Sequence, residues 1–129
     1  MEALIARITE ATGLGADVVE KAVGLILAFL EKEGPQDEVN KLFDALPGSR
    51  EAVATAGDGG PGGMMGGLMG MMPGGGGVMA LGTKLMAAGV PMAQMQPFAR
   101  ELFAYGRENA GEDTMGAIVG AIPGLSQFL

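Results

Sequence analysis

Five methionines and a leucine fall within nine positions of one another: Met64, Met65, Leu68, Met69, Met71 and Met72. Two kinds of chemistry suit such a cluster. Thioether sulfurs are soft donors, so Met69, Met71 and Met72, with Met64 or Met65 as a fourth ligand, offer a copper(I) site. Unbranched, polarizable side chains also make an adaptable apolar surface that accepts varied protein partners. Copper sites usually add His or Cys, and this chain has neither. The contact reading is therefore carried forward with these six residues as partner contacts, and no metal or cofactor is assigned. The same two absences remove disulfides, a thiolate nucleophile, a Cys/His zinc site and the histidine-dependent hydrolase triad.

The remaining polar residues offer less. Glu31, Glu33, Asp37 and Glu38 form one acidic group, and Glu108, Glu112 and Asp113 another. Clustered carboxylates can hold Ca²⁺ or Mg²⁺, but neither group has the ligand spacing of a calcium loop. They read as helix caps and solvated faces, with Asp37 and Asp113 as N-caps. The glycine run 74–77 lacks the Lys-Ser/Thr ending of a phosphate loop, and no strand precedes it. Arg100, Glu101, Tyr105 and Arg107 are the densest polar group with an aromatic. They read as a solvated or inter-subunit face, so no catalytic residue is assigned. With 8 basic and 15 acidic residues the net charge is −7. That argues against nucleic acid and anionic membrane surfaces, since phosphate binding needs clustered Lys and Arg.

The elements that would carry these residues divide the 129-residue chain into three. Residues 1–56 read as helices. Leu4, Ile5 and Ile8 form a first stripe that Gly13 stops. Asp17 and Glu20 match a capping box. Residues 22–30 are then apolar almost all round, which marks a central helix that must be covered on every side. Gly34-Pro35 ends it. Asp37 opens a third helix with Val39, Leu42, Phe43 and Leu46 inward, Pro47-Gly48 stops it, and Ser49 caps a short tail helix through Ala56. Residues 57–77 comprise 12 Gly, 5 Met, 2 Pro, one Leu and one Asp, which fits a flexible linker or a contact loop. Residues 78–129 return to a helical pattern.

A shift of 76 residues lays the third segment on the first without gaps. Gly13 meets Gly89, Ala28 meets Ala104, Asp37 meets Asp113, and residues 45–48 (Ala-Leu-Pro-Gly) meet 121–124 (Ala-Ile-Pro-Gly). The copies are unequal: Gly24 and Leu25 correspond to Arg100 and Glu101, so the second central helix gains a wet face. It also contains Pro97, which a helix tolerates in its first turn. That is where Pro97 falls if the helix starts near Ala93. The expected fold is all-α, with two tandem three-helix pseudo-repeats, 1–56 and 78–129. Each is too small to stand alone, so they share one core. A second chain covering residues 22–30, in a homo-oligomer, is the alternative.

The combination of a short helix, the break Thr12-Gly13-Leu14, the apolar helix 22–30 and the ending Leu46-Pro47-Gly48 resembles the bacterial family called domain of unknown function 2267. The second half carries the pattern as Gly89-Val90, residues 98–105 and Ile122-Pro123-Gly124. The resemblance implies an all-helical bacterial protein of the cytoplasm and no particular reaction. The start MEALIARITE lacks the features of a secretory signal, and nine apolar residues fall far short of the ~20 that span a bilayer. The resulting expectation is a non-enzymatic, cytoplasmic interaction or assembly module whose partner is another protein or itself. A purely structural homo-oligomer with residues 57–77 as linker, or a methionine-based copper(I) protein, are the alternatives.

Overall fold

The computed structural model describes residues 2–56, 78–122 and 124. The contact residues expected from sequence, Met64, Met65, Leu68, Met69, Met71 and Met72, lie outside them. The described residues form seven helices and no strand: α1 (Glu2–Thr12), α2 (Ala16–Glu33), α3 (Gln36–Ala45), α4 (Ser49–Ala56), α5 (Val78–Ala88), α6 (Met92–Ala110) and α7 (Glu112–Ala121). No described helix is long and apolar enough to cross a membrane.

Helix ends follow the glycines and prolines. Gly13 takes φ +76°, and its N–H donates to the Thr9 carbonyl at 2.7 Å. The Thr12 hydroxyl completes the stop: it donates to the Ile8 carbonyl (2.7 Å) and accepts from the Leu14 N–H (3.3 Å). Gly34 ends α2 with its N–H on the Leu30 carbonyl at 2.7 Å.

The N-caps differ from expectation. Gly15, not Asp17, caps α2, and Pro35, not Asp37, caps α3. Gly111 takes that place before α7 in preference to Asp113. Pro35 is already extended and cannot prolong α2, so the next helix begins immediately after it. Both aspartates then fall inside first turns, where their charge favours the positive helix end without a capping hydrogen bond. Ser49 opens α4, but its buried hydroxyl donates backward to the Phe43 carbonyl at 3.2 Å. Pro97 is also displaced from its expected place. Since α6 starts at Met92 behind the Pro91 cap, Pro97 sits in the second turn, where its missing N–H leaves the Ala93 carbonyl without its helical donor.

The boundaries of α5, Val78–Ala88, lie 76 residues after those of α1, and those of α7 lie 76 after those of α3. The long helices also bury matching positions. Helix α2 buries Val19, Ala22, Val23, Ile26, Leu27 and Leu30, and α6 buries Met95, Phe98, Ala99, Leu102, Phe103 and Gly106. The mismatch is Gly24, buried where Arg100 is exposed. Helix α4 packs on α2 more extensively than any other described pair of helices pack on each other. The first helices depart further. Helix α1 buries Leu4, Ile8 and Thr12, whereas α5 buries Leu81 and Leu85, the equivalents of Ile5 and Thr9. One residue is ~100° of helix rotation, so α5 turns a different face inward.

One core runs through the described helices. Helix α1 packs more extensively on α6 than on its own neighbour α2, and α5 more on α2 than on α6. Helix α3 touches α2, α6 and α7. Each half therefore closes the other's hydrophobic face, as two units of this size require.

Candidate functional site

Three features at the surface merit a chemical reading. The first is a polar cluster between α1 and α6. Glu101 and Glu108 are seven residues apart and so share one face of α6. The Arg7 guanidinium lies between them: its Nε donates to Glu101 at 2.7 Å and its Nη1 donates to Glu108. These bonds, to Glu108 foremost and then Glu101, raise the Arg7 pKa above its ordinary value. A pKa raised in the folded state favours folding at every pH below the guanidinium's ordinary range, and that contribution fades only in strong alkali. Arg7 thus holds a permanent charge whose capacity is spent on two carboxylates. The group is a clasp between helices rather than a site for substrate.

This cluster reorders the expected polar group. Of Arg100, Glu101, Tyr105 and Arg107, only Glu101 enters it. Arg100 and Arg107 are exposed, and Tyr105 is half-buried against the core. Arg7 was not legible as their partner, since it lies 94 residues before Glu101. Among the described residues, no three acidic side chains gather as a metal site would require. Glu38 pairs with Lys41 at 3.4 Å instead.

The second feature is an open cleft of about 330 Å³ at the α3–α4 junction, lined by Phe43, Leu46 and Ser49 among others. Arg50 spans it. Its guanidinium lies 5.4 Å from the Phe43 ring centre and 3.2 Å from Asp44. Both its charge and its flat face are engaged, so the cleft reads as the brace of a helix corner.

The third feature is the α5–α6 corner. Val90 is fully buried, and its N–H donates to the Leu85 carbonyl at 2.9 Å. Gly89, at φ +113°, sits close against α2: a Cβ there would lie 3.4 Å from both methyls of Val18. The corner is thereby held down while two side chains stand out from it. Met92 is 74% exposed and Met86 53%, the two large hydrophobic side chains left exposed among the described residues. Their counterparts 76 residues earlier are Ala16 and Glu10, so the apolar character belongs to the second half alone. Sequence reading passed over both methionines, because an apolar residue on a helix is ordinarily taken as core. Their placement in the turns flanking Gly89 was the available signal.

Compared with protein-family models, with curated proteins and with solved structures, the chain matches none.

Proposed function

We propose that this chain is a non-enzymatic interaction module of the bacterial cytoplasm, with methionine side chains as its contact surface and another protein as its partner. The observation that carries this is the exposure of Met86 and Met92 on a corner anchored by the buried Val90 and seated against Val18 at Gly89. Burying a large apolar side chain contributes about 1.5–3 kcal/mol, which favours a partner that covers both. The methionines at 64, 65, 69, 71 and 72 supply further side chains of the same adaptable kind a few residues before α5. The engaged state of Arg7 and Arg50 supports a non-catalytic reading. The paired boundaries of the two halves support an origin by duplication, in keeping with the resemblance to the domain of unknown function 2267 family.

The test is capture from native cytoplasm by the tagged full-length chain, beside Met86→Glu/Met92→Glu and a deletion of residues 64–72. The expected result is a protein bound by the full-length chain and lost from both variants, with melting temperature unchanged in the corner variant. Recovery of nothing but copies of the chain would turn the reading to a structural homo-oligomer. Copper(I) retained against a chelator of micromolar affinity would turn it to metal binding.

A further inference from the structure

The docking of α1 carries a conclusion that does not depend on the methionine surface. Leu4 and Ile8 are fully buried, and the helix lies mainly against α6, far away in the chain, with Arg7 held by Glu101 and Glu108. What returns α1 to this place is a link of three residues, 13–15. Two of them are glycines, and a Cβ at either would meet nothing within 4 Å. Gly13 holds the reversal at φ +76°, a conformation that L side chains rarely adopt. Of the link only Leu14 packs against the core; the turn itself rests on glycine's freedom, on the Gly13 N–H to the Thr9 carbonyl and on the two hydrogen bonds of the Thr12 hydroxyl.

If residues 13–15 become helical, α1 and α2 join into one rod, and residues 2–15 project ~21 Å from the start of α2. From there α1 cannot reach its own α6, but it can reach that of another molecule. We propose that α1 is an exchangeable helix, and that the groove on α2 and α6 accepts the α1 of a second copy of this chain to form a reciprocal dimer. Every contact of α1 made within one chain is made again between two. The difference in free energy is confined to the link and to the entropy of association, which is why exchange of an identical element is a low-cost route to a dimer.

Charge reversal of the clasp tests this in the full chain. One variant carries Arg7→Glu, and a second carries Glu101→Arg and Glu108→Arg. Within either chain alone like charges face each other, whereas reciprocal exchange between the two restores opposite charges at both clasps. The pair is refolded together from denaturant in equal amounts and its mass is read by light scattering. The expected result is a species of twice the single-chain mass containing one copy of each variant. Chains that fold only when mixed would support the proposal equally. A mixture that folds and keeps the single-chain mass would overturn it.

A second variant reaches the same point without changing charge. Gly13→Ala with Gly15→Ala favours the continuous rod and should double the mass with helical circular dichroism retained. A folded chain of single mass would contradict the exchange. Neither experiment touches Met86 or Met92, so failure here leaves the partner surface standing.

Discussion

Single residues show where this fold has no room and where it has some to spare. A Cβ on Gly34 would stand 2.7 Å from the Leu30 carbonyl oxygen and 3.0 Å from a Val39 methyl. The backbone would have to move, so Gly34→Ala should destabilise by about 1–3 kcal/mol. Gly116, exposed inside α7, has nothing within 4 Å of its would-be Cβ. There the same substitution should stabilise by about 0.5–1 kcal/mol, because alanine costs less backbone entropy in a helix. Urea denaturation of both variants checks the opposite signs. Thr12 offers a second test. Thr12→Val keeps shape and removes a hydroxyl that makes two hydrogen bonds, taking from the Leu14 N–H the acceptor it has there. The expected loss is about 1–2 kcal/mol, and Thr12→Ser should recover most of it in the same titration.

At the scale of elements, what the sequence declared was mainly where helices stop. Gly13, Gly34-Pro35 and Pro47-Gly48 act through their own backbone preferences, which no distant contact alters, and they mark the ends found. Where helices begin was less legible. Asp17, Asp37 and Asp113 are good caps by type, yet a residue two positions earlier had already opened each helix, extended at Gly15 and Pro35 and at positive φ at Gly111. The rotation of α5 relative to α1 was beyond reach as well, because Leu81 and Leu85 become the buried face only through contact with α2. The exposed corner at Met86 and Met92 was hidden for the same reason, since nothing local says which side of α5 will find a neighbour. Pro97 belongs to this scale too. With Ala93 exposed and its carbonyl lacking a helical donor, Pro97→Ala should restore a backbone hydrogen bond and stabilise by about 1–3 kcal/mol, seen as a higher urea midpoint with unchanged slope.

Over the whole molecule, the crossing of α1 onto α6 and α5 onto α2 should make the halves one unfolding unit. Leu27 is fully buried in α2, and Leu27→Ala should cost about 2–5 kcal/mol. Tyr105, the chain's single tyrosine, lies on α6 in the other half and gives an intrinsic fluorescence probe in a protein without tryptophan. Its transition should shift by the same amount as the helical signal in circular dichroism. A Tyr105 transition left unmoved would show that the halves unfold separately. The crossing also has a meaning during synthesis. Arg7 finds its carboxylates 94 and 101 residues further along the chain. At ribosomal speeds of ~5–20 residues per second, α1 waits roughly 5–20 s between its own emergence and that of its docking surface. Through that interval Leu4 and Ile8 stay open to whatever meets a nascent chain first, including the α6 of a neighbour completed on the same messenger.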